Sequence, residues 1–234
     1  MPSQKLFLFI GPTSYGLSLD EVITEETMVL PPVRRGDIQT LIESESPATI
    51  VIVDGTYHAY PAVSHVEIKN ALKQGWNVWG MSSMGALRAA EMYTLGMRGY
   101  GSVFQRFVQD KDLPDDYVAL VHGTESPWFP VSEPLVHIEY LLQEAVRSSV
   151  IPSEMHEQLM HEMRNMWFGY RTLKYLRDKT CTLPTQQRES FNAMLDRIND
   201  YRLKSMDVMD FFQQKPFLYD NEVGQGNEVY RYYR

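Results

Sequence analysis

Cysteine, long apolar runs and positive charge are all scarce in this sequence. The 234 residues include one cysteine, Cys181, which cannot form an intramolecular disulfide or a cysteine zinc site, so we expect a reducing compartment. No apolar run approaches the roughly 20 residues of a membrane helix, and the first one is too short for a signal peptide. A formal net charge of −8 fits nucleic acid poorly. These absences predict a cytoplasmic protein with no membrane or nucleic-acid partner.

Common cofactor motifs are absent as well. The sequence has no Walker loop and no Gly-x-Gly-x-x-Gly, so a nucleotide enzyme is disfavoured. His156 and His161 lie five residues apart, which separates them by about 140° on a helix and prevents them from sharing one zinc ion. We therefore expect no metal site and no cofactor.

The first half of the chain alternates between strand-like and helix-like segments. Strands are predicted at 6–10, 49–53, 77–80 and 117–121, and helices at 18–24, 37–44, 64–74 and 83–93. Short apolar runs separated by helices are typical of a parallel sheet. The predicted fold class is α/β, with a mostly parallel sheet core in residues 1–130 and a helical C-terminal part in 131–234.

Helical spacing dominates the second half. A helix is predicted to begin after Pro134, a longer one to carry the apolar stripe 159–173, and two more to cover 185–203 and 206–214. A tyrosine-rich arm follows from Lys215. Within this part, the stretch 164–204 holds nine basic and four acidic residues. It is either a solvated helix surface or a docking surface for an acidic protein or peptide.

Polar and glycine-rich segments follow each predicted strand, where parallel sheets tend to bind ligands. These segments contain Gly11, Asp54, Ser82 to Gly85, and His122. The segment from Ser82 to Gly85 places a serine at the start of a helix, where backbone amides can stabilise an oxyanion. Ser83 is a candidate nucleophile on this reading; on the alternative reading, Ser82 or Ser83 only caps the helix.

A serine nucleophile needs a base, and the helix that begins at Ser64 offers candidates. It starts at the same predicted sheet edge, so His65 and Lys69 are expected near Ser83, with Lys73 further away. A partly desolvated lysine can serve as a base, as in Ser-Lys hydrolases. The alternative for Lys69 is an ordinary surface lysine.

Ordered motifs in roughly residues 7–142 resemble those of the TfuA-like proteins. They are Phe9–Thr13, Leu30–Asp37, Val51–Tyr57, His65–Ile68, Gly80–Glu91, Gly99–Gly101 and Asp115–Gly123. The string Ser-Met-Gly-Ala-Leu-Arg-Ala-Ala-Glu from Ser83 to Glu91 is the most specific of them.

The resemblance implies a partner of a YcaO-type ATP-dependent enzyme in peptide backbone thioamidation. It also implies hydrolysis of the thiocarboxylated C-terminus of a ThiS-like sulfur carrier by a Ser-Lys pair, which releases sulfide. Ser83 matches the family serine, whereas Val66 stands where many relatives carry a basic residue, so Lys69 is the proposed base. Ser82, Gly85, His65, Asp54, Gly11 and His122 would support this site.

Two arginines remain open to either of two roles. Arg35 and Arg88 could receive the carrier's terminal carboxyl group, or they could form structural pairs with Asp37 and Glu91. The alternative function is a non-catalytic adaptor that binds the YcaO enzyme, and also a precursor peptide, through the basic stretch 164–204.

Overall fold

A computed structural model of the protein describes residues 5–21, 23–56 and 60–219. The strands are β1 Leu6–Phe9, β2 Thr27–Leu30, β3 Thr49–Ile52, β4 Asn77–Met81 and β5 Arg98–Tyr100. The helices are α1 Asp37–Ser44, α2 His65–Lys73, α3 Met84–Met92, α4 Gly101–Gln109, α5 Leu135–Arg147, α6 Ser153–Arg164, α7 Leu173–Lys179, α8 Thr185–Asp196 and α9 Leu203–Gln214.

The five strands form one parallel sheet in the order β2-β1-β3-β4-β5, which confirms the predicted α/β class with its helical C-terminal part. The three central strands are the ones predicted from apolar runs. The two edge strands escaped prediction because β2 is only partly buried and β5 has three residues, Arg-Gly-Tyr, with no apolar pattern.

The predicted fourth strand at 117–121 is wrong. Asp115–Tyr117 form a 3-10 helix, and the following residues form a loop that pairs with residues 131–132 rather than with the sheet. Tyr117, Val118 and Ala119 are buried, so the run is apolar because it contributes to the core. Burial alone does not distinguish a strand from a packed loop.

Local helix signals were accurate where they were strong. Ser64 and Glu67 form the expected capping box of α2, and α1 has the predicted bounds. In the weaker segment 18–24, the described residues include a 3-10 helix at Leu19–Glu21 and no α-helix.

The long helices predicted in the second half are each divided. The stripe 159–173 is interrupted after Arg164 by a 3-10 turn at Phe168–Tyr170, and Thr172 then caps α7. The predicted helix 185–203 ends at Asp196, and α9 begins at Leu203, earlier than expected. Of the predicted terminal arm, only residues up to 219 lie within the described part of the chain.

Helices cover both faces of the sheet. One face packs against α1, α2 and α3 in a core that continues without a break into α5 to α8. The other face carries Leu8, Val51 and Trp79, and α9 covers it with Phe211 and Phe212. The first turn of α9 therefore reaches the carboxyl edge of the sheet. Within the described residues, no helix combines the length and apolar character needed to cross a membrane.

Candidate functional site

The turn between β4 and α3 has an unusual backbone. Ser82 has φ of +65° although it is not glycine, and it is completely buried. A non-glycine residue in this region costs on the order of 1 kcal/mol and persists only where the surrounding structure enforces it. A strand followed by one residue at positive φ and then a helix resembles the backbone course of the nucleophile elbow.

Two glycines allow α3 to begin so close to the sheet. A Cβ atom on Gly85 would overlap the main-chain carbonyl of Ile52, and one on Gly80 would overlap the carbonyl of Gly85. The amide of Gly85 donates to the carbonyl of Val53 at 3.1 Å. Gly85 therefore supports the site by close packing, with its amide already occupied.

Ser83 is the N-cap residue of α3, but its side chain makes no capping hydrogen bond. It is 2% exposed, and its hydroxyl has no hydrogen-bond partner among the described residues. The amide of Ala86 is held by the Ser83 carbonyl, whereas the amide of Met84 has no partner in the described part of the chain. A backbone amide at a helix start is a donor of the kind that stabilises the oxyanion in acyl transfer.

Asp54 follows β3 and organises the neighbouring strand end. Its buried carboxylate accepts hydrogen bonds from the amides of Gly11 and Thr13, at 2.8 and 2.9 Å, and from the Thr13 hydroxyl at 2.7 Å. Gly55, the next residue, lies against Met84 so closely that a Cβ atom on it would overlap the Met84 side chain. Asp54 and Ser83 therefore lie at adjacent positions of the carboxyl edge.

Lys204, in the first turn of α9, reaches the same corner. Its side chain is 1% exposed, with Nζ 3.8 Å from Asp54 Oδ1 and 3.3 Å from the carbonyl of Val118. Burial lowers the pKa of its ammonium group, and the nearby carboxylates of Asp54 and Glu133 oppose this only in part. We refer to Thr13, Asp54, Ser82, Ser83 and Lys204 as the edge cluster.

The sequence did not mark Lys204 as a site residue, because it lies in a basic stretch far from every strand-end motif. Its local pattern does not distinguish it from a solvated lysine. The first two turns of α9 bind three strand ends: Ser82 Oγ donates to the Lys204 carbonyl, Ser205 Oγ to the Thr13 carbonyl, and the Ser102 amide to Asp207.

A second buried polar group lies behind Lys204. His137 Nδ1 is 3.0 Å from a Glu133 carboxylate oxygen, and Arg202 binds the other oxygen of that carboxylate. His137 Nε2 accepts from the Lys204 amide at 3.4 Å. Burial lowers the pKa of His137 to about 4, so the ring is neutral at pH 7. These residues fix the start of α9 to α5.

The residues predicted on α2 and α3 lie elsewhere. Lys69 is exposed and forms no hydrogen bond or ion pair with the described residues. Glu91 binds both His65 Nε2, at 2.8 Å, and Arg88 Nη1, at 2.6 Å. We refer to His65, Arg88 and Glu91 as the surface network; none of its hydrogen bonds reaches Ser83.

Arg35 and His122, the other two predicted site residues, are also separate from the edge cluster. Arg35 is exposed, and the carboxylate of Asp37 accepts from the Arg34 amide instead of pairing with Arg35. His122 lies in the loop after Val121, where its ring contacts Trp128 and its Nδ1 lies 2.7 Å from the Gly123 carbonyl.

The basic stretch 164–204 is mostly neutralised within the protein. Arg171 is completely buried on Asp116, and Arg202 and Lys204 are buried as described. Five others pair with acidic side chains: Arg164 with Glu139, Lys174 with Asp178, Arg177 with Asp196, Lys179 with Glu162 and Arg197 with Asp200. The stretch is therefore structural to a large extent and offers little unpaired positive charge to a partner.

Fold and site together define a parallel α/β protein with a buried serine, lysine and aspartate at the carboxyl edge of its sheet. The sequence model of the TfuA-like protein family matches residues 54–172, just over half of the chain, and the protein belongs to that family. No curated protein matches the chain. The match includes Asp54 and both serines and extends beyond the expected limit at 142, whereas Thr13 and Lys204 lie outside it.

Proposed function

We propose that this TfuA-like protein hydrolyses the thiocarboxylated C-terminus of a ThiS-like sulfur carrier and thereby supplies sulfide to a YcaO-type enzyme for peptide thioamidation. The observation that carries the proposal is the Ser83 hydroxyl at the start of α3, which, like the Met84 amide, has no partner among the described residues. Asp54, at the adjacent strand end, lies 3.8 Å from Lys204 Nζ. Membership of the family supports the choice of these partners.

In the first step, Ser83 Oγ attacks the thiocarboxylate carbonyl carbon. A C–O bond forms, the serine proton passes to a base, and the carbonyl oxygen takes up the negative charge. The Met84 amide, at the first position of α3, stabilises that oxyanion together with the positive end of the α3 dipole. The base then returns its proton to the sulfur as the C–S bond breaks, sulfide leaves as HS⁻, and an ester remains on Ser83.

Lys204 fits the role of the base better than Lys69. A base must be neutral before it accepts a proton, and burial lowers the pKa of Lys204, whereas Lys69 is exposed on α2. Asp54, 3.8 Å away, can stabilise the ammonium group after proton transfer. Water then attacks the ester, Lys204 relays the proton, and the carrier leaves with an ordinary carboxylate.

The experiment is a sulfide-release assay on a thiocarboxylated carrier with Ser83→Ala and a matched control, Ser44→Ala. Ser44 is an exposed serine whose hydroxyl bonds only to carbonyls of its own helix. Loss of the nucleophile should lower kcat by at least about 10³-fold, while the control should retain the wild-type rate.

Sulfide release by Ser83→Ala at the wild-type rate would refute the hydrolytic mechanism. If that variant also supports thioamidation by the YcaO enzyme, the protein is a non-catalytic adaptor. Retained hydrolysis with lost thioamidation would instead indicate that a different surface binds the partner.

A further inference from the structure

We infer that Ser82 is a positioning residue that holds the base-bearing residue Lys204 in register with the nucleophile Ser83, through its side-chain hydrogen bond to the Lys204 carbonyl. This inference rests on the proposed function and adds a role for a residue that does not touch the substrate.

Ser82 directly precedes Ser83 in the chain, so any displacement of its backbone also displaces the backbone of the nucleophile. Its Oγ donates to the Lys204 carbonyl at 2.8 Å, across a separation of 122 residues. One hydrogen bond thus connects the peptide unit next to the nucleophile with the residue that carries the base.

Lys204 needs such a fixed point. Its four-carbon stem is flexible, so Nζ stays at one place only if the backbone that carries it is fixed as well as the contacts of the ammonium group. The ammonium group lies 3.8 Å from Asp54 Oδ1, and a small displacement of α9 would change that distance. Ser205, the next residue, is tied to the Thr13 carbonyl at 2.9 Å, so consecutive residues of α9 are held on both sides of Asp54.

Ser82 also has a backbone conformation that is unusual for a serine. Its φ of +65° would favour glycine at this position, yet the residue is a serine with no exposed surface. The hydroxyl is the group that a glycine would lack, and its partner is the Lys204 carbonyl. The hydrogen bond therefore gives the Ser82 side chain a role that offsets the backbone strain.

The test compares Ser82→Ala and Ser82→Gly with Thr180→Val, a control that removes another buried hydroxyl-to-carbonyl bond far from the sheet edge. Steady-state hydrolysis of the thiocarboxylated carrier is measured across pH.

Because small misplacements of catalytic groups can cost about 10²-fold, we expect Ser82→Ala to lower kcat by 10- to 100-fold with KM changed less than about twofold. The acidic limb of the pH profile should move to higher pH as the Lys204 amine gains hydration. Ser82→Gly should behave like Ser82→Ala.

Two further measurements separate the possible outcomes. A fluorophosphonate probe, mapped by mass spectrometry, should label Ser83 in the wild type and in Ser82→Ala; labelling of Ser82 would overturn the inference, because Ser82 would then be the nucleophile. Lysine side-chain NMR, assigned with Lys204→Arg, should show that the Lys204 pKa rises in Ser82→Ala. If the alanine variant does not fold, Ser82→Cys provides the weaker donor at similar volume.

An unchanged kcat and an unchanged Lys204 titration in Ser82→Ala would refute the positioning role. A wild-type rate in Ser82→Gly would also refute it, since backbone strain rather than the hydrogen bond would then explain the alanine result. The NMR titration remains decisive if the wild-type protein releases no sulfide, so failure of the proposed function is distinguishable from failure of this inference.

Discussion

The edge cluster and the surface network contain similar residue types in very different surroundings. In the edge cluster, Asp54 and Lys204 have side chains 1% exposed and lie 3.8 Å apart. In the surface network, Glu91 binds Arg88 at 2.6 Å with 37% of its own side chain exposed. The Glu91–Arg88 pair is the closer of the two but contributes less to stability, because water screens its charges.

Burial separates the two regions electrostatically. It lowers the pKa of the Lys204 ammonium group, whereas exposed charges keep their hydration. The edge cluster also joins elements distant in sequence, since β1, β3, β4 and α9 all contribute to it. The surface network involves only α2 and α3, and its residues were among those predicted to surround Ser83.

The largest expected effect is on catalysis. Lys204→Met should reduce sulfide release by about 10²- to 10⁴-fold, the range for loss of a general base, while Lys69→Met should leave it unchanged. The two variants remove the same charge and differ in burial. Equal losses in both, measured by single-turnover sulfide release, would remove the distinction between the two lysines.

The next effect is on stability. Asp54→Asn should lower the free energy of unfolding by about 3 kcal/mol, because it replaces a buried carboxylate that accepts three hydrogen bonds with an amide whose nitrogen cannot accept. Glu91→Gln, in the surface network, should cost less than about 1 kcal/mol. Urea unfolding measures both. A cost for Glu91→Gln as large as that for Asp54→Asn would contradict the comparison.

The third effect, at most as large as the second, is a pH dependence of stability behind the edge cluster. Burial lowers the pKa of His137 from 6.5 to about 4, so the unfolded chain binds the proton first. The stability that neutral His137 contributes is present above pH 6.5 and is lost as the pH falls from 6.5 towards 4, by up to about 3 kcal/mol. The difference in unfolding free energy between wild type and His137→Gln should shrink over that window.

Asp207→Asn supplies a control of opposite sign. Burial raises the pKa of Asp207 from 3.8 to about 6, so its contribution to stability falls as the pH rises through that range. A His137 difference curve that runs in the same direction as the Asp207 curve would contradict the assignment of a neutral buried imidazole.

Sequence reasoning was most accurate where the signal was local. Apolar runs identified the three central strands, and the capping box identified the start of α2. It failed where an apolar run was buried in a loop, as at Tyr117 and Val118, and where helices were divided by turns, as after Arg164. At the candidate site it correctly brought Gly11, Asp54 and Ser83 to one edge, because parallel strands share their direction.

The sequence by itself determined the α/β class, the family and the serine at the start of α3, since each depends on residues close together in the chain. Only the tertiary structure decided which lysine is buried at the carboxyl edge of the sheet. Lys69 and Lys204 are equivalent as residues, and they differ because α9 packs across the sheet and removes one of them from water. A property that depends on burial is decided by packing, which contacts between distant segments create.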